Sequence, residues 1–275
     1  MTFEQIHQQL MEKGYYFGNF AEFFQQDFGV TKDDFDWAVQ TFRESANNIP
    51  KHYRYRHNFT NQHTPENYIN TPGYAGPIPS EEESLEALSY DRIEHRKKYV
   101  EEVKKHFPAM RTTQQWFFID VSTNGDKFYR MNEIFETLIR NYCKAIYPHL
   151  RTQEKFMVAS QYSIYQNDDF SEIHHDGINP GRACVIIMYF ADPATYNDGG
   201  GHLVVEKDPK VLGELQQHPE RQAKYIEEQS DKLLYVKPIY GNFAILDFMK
   251  YNLGHSIEVV KNDFTRLALQ SFVGP

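Results

Sequence analysis

The fold of this chain can be inferred outward from one stretch, Phe170-Ser-Glu-Ile-His-His-Asp-Gly177. In an extended strand alternate side chains share a face, so His174 and Asp176 lie together while His175 faces away. Two such side chains on one short strand are already at chelating distance from each other. His255 could complete a set of two imidazoles and one carboxylate, which suits a ferrous ion with open coordination positions. The stretch therefore predicts a metal-binding strand.

Arg266 follows His255 by eleven positions, near the start of another predicted strand. A guanidinium can clamp a carboxylate through two parallel hydrogen bonds, so Arg266 could hold an acidic co-substrate. Ala268 would share its face and leave room for the bound acid. A His-x-Asp pair is by itself a weak signal in a chain with 12 His, because either residue can be structural. The order of all four residues on predicted strands strengthens it.

Short strands are predicted throughout the second half of the chain. The runs concerned are rich in β-branched and aromatic residues and are bounded by Gly, Asp, Asn and Pro. Since no helices alternate with them, an antiparallel barrel or sandwich is expected. One insertion, residues 209–234, is polar and helix-prone. The strands are predicted at residues 161–165, 183–190, 202–205, 242–248, 256–260 and 265–273.

The first half is predicted to be mostly helical. Thr2 and Gln5 form a candidate capping box for a helix that ends at Gly14. Apolar residues at helical spacing predict the others, and their stripes are interpreted as core packing. The helices are predicted at residues 2–14, 35–42, 80–107 and 134–146.

Residues 47–80 are predicted to form a long irregular loop, since they contain five Pro and many Asn and Tyr residues. A loop of this length is usually either functional or loosely ordered. Its basic and aromatic start, residues 52–57, could form part of a lid over an active site. It could equally be a surface loop that wraps the domain, and both alternatives stay open.

Composition narrows the classes of protein to consider. The 275 residues are 40% hydrophobic, which is enough for a packed core, and the formal net charge is −9. An acidic balance argues against nucleic acid or an anionic membrane as partner. Two cysteines, Cys143 and Cys184, do not suggest a disulfide framework. With neither a signal-peptide pattern nor an apolar run of spanning length, a cytoplasmic protein is expected.

The region from Gln161 to Val273 resembles the iron(II)- and 2-oxoglutarate-dependent oxygenases, close to their prolyl-hydroxylase-like branch. Six elements of that branch occur in register, although His202 replaces the usual acidic residue after the Gly-Gly pair and Asp168 a common Gly. The matching elements are Tyr165 nine positions before His174, the His-x-Asp itself, the apolar strand Val185–Asp192, Gly200–Leu203, Lys237–Gly241, and His255–Ile257 followed by Arg266.

The resemblance implies an α+β fold in which a double-stranded β-helix (a jelly roll, cupin-like) has N-terminal helices packed on it. The chain is interpreted as a single oxygenase domain, residues 1–275, because the apolar stripes of the helices need the barrel to cover them. Residues 1–155 would be mostly helical support with the loop at 47–80. Residues 156–275 would form the jelly-roll core with the metal site.

The resemblance also implies the roles of the candidate site residues. His174, Asp176 and His255 would bind Fe(II), with 2-oxoglutarate and O2 as co-substrates. Arg266 would bind 2-oxoglutarate, helped by the hydroxyl of Tyr165. No catalytic residue is expected beyond the metal ligands. In related halogenases a small residue stands at the carboxylate position, so Asp176 favours hydroxylation.

The predicted substrate is a small molecule, a free amino acid or a derivative, whose unactivated C–H bond is hydroxylated. This rests on the compact size and on the resemblance to amino-acid-oxidising members. One alternative is a hydroxylase of protein or peptide side chains, with the 47–80 loop as a flap. Another is a non-catalytic cupin-like binding module. The sequence does not indicate an oligomeric state or the residues that orient the metal ligands.

Overall fold

The computed structural model describes residues 1–47, 53–58, 114–119, 126–153, 156–165, 171–174, 183–207, 230–251 and 253–274. Within these ranges the α-helices are α1 (Phe3–Lys13), α2 (Lys32–Asn47), α3 (Asp126–Ile146) and α4 (Pro148–Arg151). Short 3-10 helices occur at Phe20–Phe24, Pro193–Thr195 and Ser230–Lys232. No helix in the described ranges has the length and apolar character needed to cross a membrane.

The strands form two antiparallel sheets, so the chain has an α+β fold. The larger sheet has seven strands in the order β1-β9-β6-β11-β4-β3-β2, and the smaller has four in the order β5-β10-β7-β8. The strands are β1 (Tyr15–Asn19), β2 (Tyr53–Asn58), β3 (Gln114–Ile119), β4 (Met157–Tyr165), β5 (Ser171–His174), β6 (Cys184–Tyr189), β7 (Leu203–Glu206), β8 (Leu233–Val236), β9 (Asn242–Asp247), β10 (His255–Ile257) and β11 (Arg266–Gly274).

Helix α1 begins and ends where local signals predict. In α1 the Thr2 hydroxyl accepts from the backbone N–H of Gln5, whose side chain accepts from the N–H of Thr2 in return. Gly14 ends the helix at φ 80°, a left-handed conformation that glycine adopts without strain. The helix predicted at 134–146 forms the second half of α3. The helix predicted at 80–107 lies outside the described residues.

Three strands of the larger sheet, β1, β2 and β3, come from the half of the chain that was predicted to be mostly helical. β2 lies inside the stretch expected to be a loop, and it pairs with β3 from Tyr53↔Ile119 to Asn58↔Gln114. The rest of that stretch, residues 48–52 and 59–80, is outside the described residues. β8 likewise includes the end of the insertion expected to be helix-prone. Strands held by distant partners are poorly marked in local sequence, which accounts for these differences.

The two faces of the seven-stranded sheet pack against different partners. On the helical face Tyr162, Ile164 and Leu269 join one core cluster with apolar residues of α1, α2 and α3. On the inner face Ile187 and Ala268 join a second cluster with residues of the four-stranded sheet. The inner face comprises Gln161, Ser163 and Tyr165 of β4, Arg266, Ala268 and Gln270 of β11, Ile187 and Tyr189 of β6, and the residues that continue this alternation.

Candidate active site

His255 begins β10, which lies between β5 and β7 in the four-stranded sheet. Its register partner in β5 is His174, and its partner in β7 is Val205. The backbone pairing therefore places two histidine positions opposite each other, although they are separated by eighty-one positions in the sequence.

The imidazole of His255 is buried, with 5% of the residue exposed. Its Nδ1 lies 3.1 Å from the carbonyl oxygen of Leu253. A carbonyl oxygen can only accept, so Nδ1 is the donor in this contact, and a neutral ring with this proton carries its lone pair on Nε2. Metal-binding histidines are commonly oriented in this way by a backbone carbonyl. The sequence did not reveal this partner, because the contact depends on the conformation of the turn before β10.

The remaining predicted metal ligand is not placed by the structure. β5 ends at His174, and Asp176 lies outside the described residues. Among the described side chains no three of the His, Cys, Asp or Glu type are grouped as a metal site. The pairing of His174 with His255 is therefore the part of the predicted set that the structure brings together, and Asp176 stays a prediction.

Arg266 is fully buried at the first position of β11. Its guanidinium carbon lies 4.9 Å from the ring centroid of Tyr165 and 5.2 Å from that of Tyr189. None of its three side-chain nitrogens has a hydrogen-bond partner among the described residues. Stacking on aromatic rings offsets about 2 kcal/mol of the cost of burying a cation, which leaves most of that cost uncompensated. The position of Arg266 therefore suits an anion from outside the chain.

Tyr189 lies beside Arg266 and was not predicted as a site residue. Its buried hydroxyl also has no hydrogen-bond partner among the described residues. Burial raises the pKa of Tyr189 to about 12, although the positive charge of Arg266 and the nearness of its guanidinium N–H groups oppose this change. The hydroxyl therefore stays protonated at neutral pH and can donate. Strand alternation was the signal that could have found it, since Tyr189 is the register partner of Ala268.

Tyr165 was predicted as the hydroxyl that helps Arg266. The structure makes it the register partner of Arg266, fully buried, with its ring against the guanidinium. Gly201 forms another wall of this pocket. A Cβ atom there would lie 3.0 Å from Val260 Cγ2 and 3.4 Å from Arg266 Cδ, and the residue has φ 67°. Glycine has no Cβ atom and adopts a positive φ without strain, which explains why a glycine occupies position 201 of the Gly-Gly pair.

A chain of polar side chains lies next to this glycine. His202 Nδ1 bonds Glu258 Oε2 at 2.7 Å, and its Nε2 lies 3.1 Å from the hydroxyl of Tyr196. The hydrogen bond from His202 holds the pKa of Glu258 below its ordinary value. The three side chains join segments that follow β6, precede β7 and follow β10. His202 thus has a structural contact where the resembling enzymes carry an acidic residue.

A buried carboxylate supports the loop that leads to His255. Asp247, at the end of β9, accepts from the Tyr147 hydroxyl at 2.9 Å and from the backbone N–H groups of Met249 and Lys250 at 3.0 and 3.2 Å. Burial raises the pKa of Asp247, and these donors oppose the change. The sequence did not single out Asp247 or Tyr147, because α3, α4 and β9 are distant along the chain.

No protein-family model matches the sequence, and no curated protein matches it. Solved structures do match. A prolyl hydroxylase from Trichoplax adhaerens, in complex with a hypoxia inducible factor oxygen degradation domain peptide fragment, is 12% identical. That match covers 99% of this chain and 90% of that chain, with a TM-score of 0.52.

Two further structures have similar scores. AviO1 from Streptomyces viridochromogenes is 9% identical, and the match covers 98% of this chain and 93% of that chain with a TM-score of 0.51. SnoN, a non-haem alpha-ketoglutarate-dependent epimerase from nogalamycin biosynthesis, is 10% identical. Its match covers 99% of this chain and 80% of that chain, with a TM-score of 0.50. The protein therefore shares the fold of these three structures.

Proposed function

We propose that this protein is an Fe(II)- and 2-oxoglutarate-dependent oxygenase that hydroxylates an unactivated C–H bond. The observation that carries the proposal is the fully buried guanidinium of Arg266, which has no acceptor among the described residues. The pairing of His174 with His255 on the facing sheet supports it. The sequence resemblance and the fold shared with a prolyl hydroxylase and an alpha-ketoglutarate-dependent epimerase agree with this assignment.

The same proposal covers the architecture. The two antiparallel sheets are the halves of a double-stranded β-helix, a jelly roll of the cupin type, whose interior carries the site. Their inner faces share one apolar cluster, which supports this interpretation. Helices α1, α2 and α3 cover the outer face of the larger sheet, so we infer that residues 1–275 form a single domain.

His174, Asp176 and His255 hold the iron in this proposal, with His255 binding through Nε2. Iron(II) held by two imidazoles and a carboxylate supplies a centre at which O2 and a 2-oxo acid can react. The Leu253 carbonyl keeps the His255 ring in the tautomer that binding requires. A complete ligand set with Asp176 supports hydroxylation rather than halogenation.

Arg266 binds the carboxylate of 2-oxoglutarate that is remote from the keto group. The carboxylate supplies the counter-charge that the buried guanidinium lacks. Hydrogen bonds between charged groups are about twice as strong as those between neutral groups. The hydroxyl of Tyr189 remains protonated and can donate to the same group. The ring of Tyr165 packs on the guanidinium and can add a second hydroxyl. These buried surroundings exclude water from the pair.

The substrate is a small molecule such as an amino acid or a derivative of one. A second candidate is the side chain of a peptide. The Trichoplax adhaerens prolyl hydroxylase, which shares this fold, was solved with a peptide bound. Succinate formation that is stimulated by free amino acids supports the first, and stimulation by peptides alone supports the second.

Anaerobic titration tests the proposed function directly. Adding 2-oxoglutarate to the wild-type protein with Fe(II) should produce a visible charge-transfer band, and admitting O2 should yield succinate. Asp176→Ala should lose hydroxylation because one iron ligand is removed, while the control Asp231→Ala, an exposed carboxylate, should behave as wild type. A wild-type protein without the band would exclude the proposal. Full product formation by Asp176→Ala would exclude Asp176 as a ligand.

A further inference from the structure

The inner face carries a second polar element, which the proposed function does not use. Gln161 and Gln270 are register partners in β4 and β11, and Gln161 Nε2 donates to Gln270 Oε1 at 2.7 Å. Only 6% of Gln161 is exposed. Ser160 and Ser271, the neighbouring pair, contact each other at 2.8 Å on the opposite face of the same strands. The glutamine pair therefore belongs to the interior between the two sheets.

The glutamine pair lies farther along β4 and β11 than the Arg266 end of the inner face. Gln270 follows Arg266 by four residues on the same face, which is about 13 Å along an extended strand. Tyr165, Ile257, Val260 and Phe264 cluster at the Arg266 end. Val185, Leu253 and Phe272 belong to the other cluster. His255 lies between Leu253 and Ile257 in sequence, and these two residues belong to different clusters. An acid that reaches from Arg266 toward His255 would therefore leave the interior at the glutamines to a substrate.

The two carboxamides present a donor and an acceptor to that space. Their mutual hydrogen bond leaves Gln161 Oε1 and Gln270 Nε2 with no partner among the described residues. Exchanging the oxygen and nitrogen of both amides reverses the bond but again leaves one acceptor and one donor. An amide group offers the complementary pair, a carbonyl oxygen and an N–H. The two glutamines therefore match an amide in either assignment.

The inner face of the larger sheet carries no acidic residue at its described strand positions. The charged residues at these positions are Arg266 and, through the register of β2 with β3 and of β3 with β4, Arg54 and Arg56. The ammonium of a free amino acid would therefore have no counter-charge on this face, and burying a cation without one is unfavourable. The free-energy cost of moving a neutral amide out of water is much smaller than that of moving a charged group, and the amide gains hydrogen bonds to both glutamines. This face therefore favours an uncharged amide over a free ammonium group.

We propose that Gln161 and Gln270 bind an amide group of the substrate. This narrows the proposed substrate class to amide-bearing derivatives of amino acids and to peptides, and it excludes the free amino acid. This inference rests on the proposed function, since it assumes that the reacting centre lies at His174 and His255. The amide can come from an amino-acid amide or from a peptide bond. The two sources share one chemistry, and the choice of probes separates them.

Matched probes test the inference on the wild-type protein with Fe(II), 2-oxoglutarate and O2. One series contains free amino acids, a second the same residues as N-acetyl-N′-methylamides, and a third the same residues inside glycine pentapeptides. Succinate formation above the probe-free rate should occur with the blocked amides, the pentapeptides or both, and not with the free series. Stimulation by pentapeptides alone assigns a peptide source. Stimulation by free amino acids, or by no amide-bearing probe, overturns the inference.

Variants of the pair distinguish substrate binding from a structural role. Gln161→Leu removes one amide and should raise the KM for the best amide probe about tenfold, the effect of one lost hydrogen bond with its partner left unpaired. Gln161→Glu keeps the shape but adds a negative charge, and should shift preference toward probes with a free ammonium group. The control Ser160→Ala removes the analogous cross-strand contact on the other face. It should change neither the KM for the amide probe nor the preference among probes.

The outcomes separate this inference from the proposed function. If the wild-type protein gives no charge-transfer band with Fe(II) and 2-oxoglutarate, both are excluded. If the band forms but Gln161→Leu and Gln161→Glu keep the wild-type KM and probe preference, the inference alone is excluded. A shifted preference in Gln161→Glu with an unchanged Ser160→Ala supports it, because a structural contact would not reverse the charge of the favoured probe.

Discussion

The helical face and the inner face of the seven-stranded sheet differ in how their buried polar groups are satisfied. On the helical side Arg43 also stacks on a tyrosine ring, that of Tyr240 at 5.1 Å, but its Nε donates to the Phe190 carbonyl oxygen at 2.6 Å. On the inner face Arg266 and Tyr189 have no such acceptor among the described residues. Most buried polar groups in proteins are bonded, so exceptions mark places where a ligand completes the structure.

The largest expected effect comes from exchanging each arginine for methionine. Arg266→Met should raise the KM for 2-oxoglutarate by about a hundredfold, because charge-assisted hydrogen bonds to the carboxylate are lost. It should also raise the unfolding free energy of the ligand-free protein by about 1–4 kcal/mol, since an uncompensated buried charge is removed. Succinate assays and urea unfolding measure the two effects.

Arg43→Met provides the contrast. It should lower the unfolding free energy by about 1 kcal/mol, through loss of the bond to Phe190, and leave the KM for 2-oxoglutarate unchanged. The comparison between the faces fails if both variants are destabilised alike, because Arg266 would then have a protein partner outside the described residues.

A smaller effect is expected at Asp247, a fully bonded carboxylate on the helical side. Tyr147→Phe removes its 2.9 Å donor and should lower the unfolding free energy by about 1–3 kcal/mol at neutral pH. Burial raises the pKa of Asp247 in the folded state above its ordinary value of 3.8. The folded protein therefore binds the proton more tightly, and stability falls as pH rises from that value through the raised pKa.

Loss of the Tyr147 hydroxyl should raise the pKa of Asp247 further and extend this fall to higher pH. Unfolding free energies of both proteins across the acid-to-neutral range check the prediction. Equal slopes for the wild type and Tyr147→Phe would show that the hydroxyl does not stabilise the charged carboxylate.

The smallest effect is expected at the half-exposed pair of His202 and Glu258. His202→Leu should lower the unfolding free energy by at most about 1 kcal/mol, as exposed pairs usually do, and His202→Gln should restore part of it through a neutral hydrogen bond. The pKa of Glu258 is lowered below its ordinary value of 4.5. Its stabilisation is thus present above that value and is lost as pH falls through the lowered pKa.

Urea unfolding at pH values from neutral to acid measures how much the contact of His202 with Glu258 adds to the unfolding free energy. This pH-dependent contribution should be absent in His202→Leu. A loss of several kcal/mol would instead show that this chain of side chains holds the Gly201 wall of the Arg266 pocket. The molecule would then contain a third kind of polar group, one that is fully bonded and holds the binding pocket in shape.

The sequence predicted those helices and strands that have clear local signals. The capping box at Thr2 and the glycine at Gly14 mark both ends of α1. Alternating β-branched and aromatic runs locate strands such as β6 and β9 within one or two residues. The spacing of His174, Asp176, His255 and Arg266 also identified a candidate site, since side-chain alternation along a strand is a property of the backbone.

Pairing between distant segments was decided by the tertiary structure alone. No local pattern shows that β1 and β2 form the two edges of the larger sheet, or that His174 lies opposite His255. The enclosure of Arg266 by Tyr165 and Tyr189, and the contact of Gln161 with Gln270, likewise depend on register across strands. Register is set by packing of the whole inner face, a non-local balance of burial and hydrogen bonding that residues near in sequence do not encode.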